Sequence, residues 1–138
     1  MIRISKAADY SILVIGFLAT QENGTVMSKS KISKSTNLPG EYVSKLLQKL
    51  NKHGLVYSIK GTKGGYGLNR KPEDITLLQV LNIFDGPPTL VDCLRKDFKD
   101  CGRINFCNPI IGTMKNVERE IRGILEKVNF RDHLRVRI

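Results

Sequence analysis

The chain has 138 residues, 23 of them Lys or Arg and 13 Asp or Glu, for a net charge of +10. That length suits one domain with an appended element and excludes a large barrel or a two-domain dehydrogenase. With 41% hydrophobic residues the chain can build a core, and it holds no apolar run of the roughly 18 residues that a membrane span needs.

Ser5 is placed to cap a first helix running to about Gln21, with Glu22-Asn23-Gly24 as its exit. Ala8, Ile12, Ile15 and Ala19 fall in it at helical spacing. The apolar run Ile12 to Ala19 is short, contains Gly16 and has no small-residue cleavage site behind it, so a signal peptide is not expected. The protein reads as cytoplasmic, with no membrane partner. Ser28 is placed to cap a second helix to about Thr36, and Asn37-Leu38-Pro39 turns the chain. A third helix runs from about Gly40 to His53, with Gly54 as its stop.

The third helix carries the most information. Val43, Leu46, Leu47 and Leu50 make one apolar stripe, and Glu41, Ser44, Lys45, Gln48 and Lys52 fall opposite it. A short helix, a tight turn and an amphipathic helix with a donor-rich outer face suit a helix-turn-helix, although an ordinary surface helix has the same pattern. Leu55 to Ile59 reads as a strand, Gly61-Thr62-Lys63-Gly64-Gly65 as a turn, and Tyr66-Gly67-Leu68 as the start of a return strand. A hairpin directly after a helix-turn-helix makes a winged helix. Its tip places Lys60, Thr62 and Lys63 among glycines, which let a backbone approach phosphate closely. No GxxxxGK[ST] or strand-borne GxGxxG supports a nucleotide-binding reading.

Charge location agrees. Residues 28–71 hold ten Lys or Arg against the single acid Glu41, a net +9, while the remainder is nearly balanced. A surface that only solubilises mixes both signs; a one-sign block is the footprint of a polyanion.

Thr76 is placed to cap a fourth helix to about Phe84, ended by Asp85-Gly86-Pro87-Pro88. Residues 86–108 then read as a loop holding all three cysteines. A last helix runs from about Asn108 to Val128. In it Ile110, Met114, Val117, Ile121, Ile124 and Val128 step by 4, 3, 4, 3 and 4, close to a heptad seam. Packing on the chain's own core is one explanation; a dimerisation helix is favoured. The tail from Arg131 to Ile138 reads as basic and frayed.

The cysteines are spaced Cys93-x7-Cys101-x5-Cys107. An odd count in a reducing compartment argues against a disulfide framework. Structural zinc sites use closer C-x2–4-C pairs, and His53 and His133 are distant in sequence. Three thiolates in one segment can hold an iron–sulfur cluster; zinc and a thiol redox switch remain open. Arg95, Lys96, Lys99 and Arg103 lie nearby and favour thiolate. No Ser/His/Asp set is evident, so an enzyme is not expected.

The chain resembles the IscR/NsrR/RirA family of bacterial winged-helix regulators, the Rrf family, along nearly its whole length. The resemblance rests on Arg3-Ile4-Ser5-Lys6-Ala7-Ala8-Asp9-Tyr10, on Leu38 to Leu47, on the wing run Gly54 to Tyr66 and on the three late cysteines. The opening and the cysteine spacing look most like regulators of SUF-type iron–sulfur assembly, or iron-responsive members. The resemblance implies a fold that is mostly α with a small β-hairpin wing: a winged helix-turn-helix over 1–85, a cysteine-bearing cluster loop over 86–108, and a dimerisation helix and tail over 109–138.

It also implies a homodimeric regulator, most readily a repressor, of double-stranded operator DNA, controlled by a 2Fe-2S or 4Fe-4S cluster. Cys93, Cys101 and Cys107 match the family's cluster ligands. Some members use a His three residues after the third Cys, and Ile110 stands there. Others use a first-helix acid from the partner subunit, and Asp9 matches that position. On the recognition helix, Ser44 and Lys45 replace a Glu-Gln pair of one branch, so the position carries over and the base preference does not. By chemistry Lys45 suits guanine and Gln48 adenine, while Glu41 suits cytosine N4 or a helix-capping role. Lys29, Lys31, Lys60 and Lys63 suit phosphates. The alternative is the same winged-helix regulator with thiol oxidation or zinc as its signal.

Overall fold

Ser5 starts α1 (Lys6–Leu18) by accepting the Ala8 N–H on its hydroxyl at 3.1 Å, which satisfies one of the first-turn donors. The computed structural model describes residues 3–98 and 102–134, except for the side chains of Ile104, Asn105 and Asn108. Val14, Ile15, Phe17 and Leu18 lie in succession along α1, and all are buried. A helix apolar on more than one face belongs inside a domain, and α1 is the central one here.

Buried Ser11 sits on the same helix, and its Oγ has no hydrogen-bond partner among the described residues. An unpaired buried hydroxyl costs free energy, and alanine is the better helix former. Ser11→Ala is therefore expected to raise stability by about 1 kcal/mol. A urea midpoint that shifts upward with an unchanged slope is the check; a fall in the midpoint would mean that the hydroxyl is satisfied in solution.

Two short helices follow. Ser28 caps α2 (Lys29–Thr36) through the Lys31 N–H at 3.2 Å. Asn37 ends α2 in the left-handed region, φ 55°, which asparagine tolerates better than most residues. Ser33 Oγ donates to the Leu38 carbonyl at 2.5 Å and fixes the turn into α3 (Gly40–Lys52). The stripe Val43, Leu46, Leu47 and Leu50 is buried against α1 and α2. Gly54, at φ 76°, closes α3 and lets Leu55 enter the core.

The hairpin is β1 (Val56–Ile59) and β2 (Gly65–Leu68), antiparallel with Val56 opposite Leu68 and Ile59 opposite Gly65. A third extended piece joins it. Met27 N donates to the Tyr66 carbonyl at 2.9 Å and Tyr66 N returns the bond at 2.8 Å, immediately before the Ser28 cap. A Cβ on Gly65 would collide with the Met27 carbonyl, so only glycine allows this approach.

A single 3-10 turn over Pro72–Asp74 leads to α4 (Leu77–Phe84). Thr76 and Gln79 form a reciprocal capping box. Asp85 at the far end of α4 accepts the Ser5 N–H at 2.9 Å. A carboxylate is unfavourable at a helix C-terminus, but here it lies at the start of α1, where the dipole is positive.

After a 3-10 turn over Asp92–Leu94, α5 spans Ile104–Lys127. It begins earlier than the expected Asn108. Proline is common at a helix's first position, but Pro109 lies inside this helix. The Phe106 and Cys107 N–H groups both bond the Arg103 carbonyl, so Cys107 belongs to the first turn of α5 and not to a loop.

The tail also differs from the expectation. After α5 the chain returns beside residues 72–77. Leu77 N donates to the Val128 carbonyl at 2.8 Å, and Phe130 is fully buried in the main core. Asn129 Oδ1 then accepts the Arg131 and Asp132 N–H groups. Frayed structure is thus not observed for 131–134, and residues 135–138 lie outside the described residues.

Candidate nucleic-acid interface and cysteine segment

The buried stripe of α3 fixes which side chains face outward. Glu41, Lys45, Gln48 and Lys52 are exposed, and Ser44 is half-buried at the edge of that face. Pro39 stands at the cap position of α3 without a side-chain cap bond, so Glu41 does not close the helix. Its first-turn position is favourable to the macrodipole by itself.

Lys29 and Lys31 are exposed on the first turn of α2, and Lys60, Thr62 and Lys63 on the hairpin end. The Met27–Tyr66 pairing joins α2 to the hairpin, so these phosphate candidates ride on one frame with α3. The ion pairs among the described residues involve Arg95 and Arg131 and none of these lysines. One cation of the block is used internally: Lys49 lies 5.1 Å from the centre of the Phe84 ring and links α3 to α4. Tyr10 and Tyr42 meet edge to face at 5.5 Å, which ties α1 to the start of α3. Sequence spacing gives no sign of either contact, because both join residues distant in the chain.

The cysteine segment lies between α4 and α5. Cys93, in the turn over Asp92–Leu94, and Cys107, in the first turn of α5, are both half-buried free thiols. Cys101 lies outside the described residues. Asp9 is exposed on the first turn of α1. Among the described residues, no three His, Cys, Asp or Glu side chains converge as a metal site, so Asp9 is not brought to Cys93 and Cys107 within one chain. Arg95 is engaged by Asp97 through two bonds, of 2.9 and 3.2 Å. That hydrogen bond, with the guanidinium charge, holds the Asp97 carboxyl below its ordinary value.

The sequence pattern of Rrf2, an iron-dependent transcriptional regulator, matches residues 4–135. The chain belongs to the Rrf2 family. NsrR of Bacillus subtilis, a helix-turn-helix transcriptional regulator, is 26% identical over 134 residues, covering 94% of this chain and 88% of that one. Among solved structures, CymR (YrzC), the global cysteine regulator of B. subtilis, aligns with a TM-score of 0.74 at 25% identity, covering 96% of this chain and 95% of that one. IscR of T. potens shares the fold, with a TM-score of 0.68 at 24% identity over 95% of this chain and 85% of that one.

As a member of Rrf2 the protein is a DNA-binding transcriptional regulator and not an enzyme. Among the described residues, five α-helices, the last of them long, and a two-stranded antiparallel hairpin give the winged-helix fold shared with the CymR and IscR structures. None of the described helices is long and apolar enough to cross a membrane.

Proposed function

We propose that this Rrf2 protein is a homodimeric, sequence-specific regulator, acting as a repressor, whose operator affinity is set by an iron–sulfur cluster. The reading keeps the division into a DNA-binding head over 1–85, a cysteine segment over 86–108 and a dimer helix with its tail over 109–138. The observation that carries the DNA half is the outer face of α3, with α2 and the wing fixed beside it and its lysines free of ion pairs among the described residues. Two such heads reach successive major grooves about 34 Å apart. Lys45 and Gln48 read base edges, with Glu41 and Ser44 beside them. Lys29, Lys31, Lys60, Thr62 and Lys63 hold phosphates.

The dimer is supported by α5. Ile110, Val117 and Ile124 are 57%, 41% and 63% exposed, a large apolar surface for a helix that already packs on α4 by its other side.

For the cluster, the donor chemistry fits. Thiolate is the usual ligand of iron–sulfur groups, and Cys93 and Cys107 are partly accessible thiols at the two ends of the segment. Cys93, Cys101 and Cys107 would hold it, with Asp9 supplied across the subunit boundary. A cluster held this way supplies reversible redox and ligand-exchange chemistry. The chain's own part is to pass a change in that segment onward. Cys107 lies in the first turn of α5, while the Asp85–Ser5 bond ties the segment's other end to α1. A coupling of about 1–3 kcal/mol changes occupancy 5- to 150-fold.

A second reading keeps the DNA half and makes thiol oxidation or zinc binding the signal. The free thiols and the likeness to CymR, the global cysteine regulator of B. subtilis, favour it.

Metal analysis and a visible spectrum on protein purified without oxygen separate the two. The cluster reading expects iron and sulfide in near-equal amounts and a brown chromophore lost in Cys93→Ala and Cys107→Ala. Colourless protein that resists reconstitution would leave the thiol or zinc switch.

A further inference from the structure

Lys49 differs from the lysines assigned to DNA. The residue is exposed, yet its ammonium lies 5.1 Å from the centre of the Phe84 ring. At about 100° per residue it stands about 40° from Lys45, on the flank of the outward face of α3. An ammonium at that place suits a phosphate oxygen, which takes charge without reading sequence. The ring holds it back.

Phe84 is the last residue of α4, half-buried and packed against the main core, and the cysteine segment follows it directly. Asp85 closes α4 and accepts the Ser5 N–H at 2.9 Å. Glu118 of α5 accepts the Leu90 N–H at 2.5 Å, three residues before Cys93. A displacement at Cys93 therefore reaches the ring through a short stretch tied at both ends. Helices α3 and α4 each pack on α1, but they do not pack broadly on one another. Among the described residues the ammonium–ring contact is thus a direct link from the segment's start to the recognition helix. A cation is held by a ring only within about 6 Å of its centre. From 5.1 Å, a withdrawal of about 1 Å ends the contact, so it has a held and a released state.

We propose that Phe84 withholds Lys49 from DNA, and that the state of the cysteine segment decides whether it does. This rests on the reading above that the segment senses the signal, whether cluster, zinc or thiol oxidation. In the held state Lys49 is engaged inside the head, and DNA must take it from the ring. In the released state its ammonium joins Lys45 and Lys52 in a strip within about 60° on α3 and adds a phosphate contact. Linkage makes the effect reciprocal: DNA that takes Lys49 frees the end of α4, and with it the segment. Lys49 is a conditional phosphate contact, and Phe84 is a positioning residue acting through it.

The test titrates the full chain, purified without oxygen, with operator and scrambled duplex at several salt concentrations. Lys49→Gln is expected to weaken both duplexes and to flatten the salt slope by about 0.9 per subunit. Phe84→Leu keeps an apolar side chain but loses the ring, and should tighten both duplexes about 2- to 5-fold. Phe84→Tyr keeps the ring and should behave as wild type. In the Lys49→Gln background Phe84→Leu should change nothing. Amide hydrogen exchange over residues 85–95 reads the reverse direction. Operator should change it about 5-fold in wild type, and less than about 2-fold in Phe84→Leu and in Lys49→Gln. An unchanged salt slope in Lys49→Gln would overturn the phosphate contact. Tightening by Phe84→Leu without Lys49 would overturn the withholding. An exchange response that survives both variants would route the coupling through α1 and its Tyr10–Tyr42 pair, and overturn the link. No exchange response in wild type would overturn the sensing reading beneath it.

Discussion

Phe130→Ala is expected to destabilise the protein by about 3–5 kcal/mol, the usual loss for emptying a buried aromatic site. Phe130 is fully buried, yet it lies beyond the end of α5 and directly before the exposed residues Arg131 to His133. Its N–H points to the carbonyls of Pro72 and Ile75, at 3.2 and 3.3 Å. Its ring reaches the core shared by α1, α2 and α3. Removing the ring leaves a cavity and loosens the lock of α5 onto the head. Whole-domain stability is only about 5–15 kcal/mol, so the variant should approach the unfolding threshold at physiological temperature. Urea unfolding followed by circular dichroism is the check. A loss below about 1 kcal/mol would mean that the segment after α5 is an ornament on an independent head.

The second large effect is on DNA. Lys45→Ala is expected to weaken the cognate operator by about 1–3 kcal/mol and to relax preference at one base pair, since a base-edge contact specifies. Lys63→Ala should weaken every duplex about equally and flatten the dependence on salt, since a phosphate contact releases counterions without reading sequence. Titrations of both variants against the operator and a scrambled duplex, at several salt concentrations, distinguish the roles. If the two behaved alike, the division between the face of α3 and the hairpin end would be wrong. Neither lysine packs in the core, so both variants should keep wild-type stability.

Features set by near neighbours were legible in the sequence. Ser5, Ser28 and Thr76 bond N–H groups three residues on, and a cap needs no more context than that. The stripe on α3 and the wing glycines could be read for the same reason. Features set by distant partners could not. The last helix was expected from about Asn108, whereas it starts at Ile104 with a first turn closed by the Arg103 carbonyl. Phe130, between the expected helix and the expected tail, gave no core signal because its contacts lie some 55 residues or more earlier, at Pro72 and Ile75. The same division holds at the cysteines. Their chemistry is plain from residue type, but Cys107 sits on a helix that spacing did not extend to it. Lys49 is spent on Phe84, a contact that charge counting misses.

The short pairing of Met27 with Tyr66 has one more consequence. It ties the base of the hairpin to the entry of α2, with Gly65 pressed against that backbone, so the base of the wing moves as one with α2. A head of fixed shape cannot follow a duplex whose groove widths differ from its own. The duplex must bend or narrow to fit, and smooth bending over such a site costs of order 1–6 kcal/mol, depending on the stiffness of the steps bent. Operators would then be ranked partly by flexible steps at positions that no side chain touches, and a search for binding sites by contacted bases alone would misorder them.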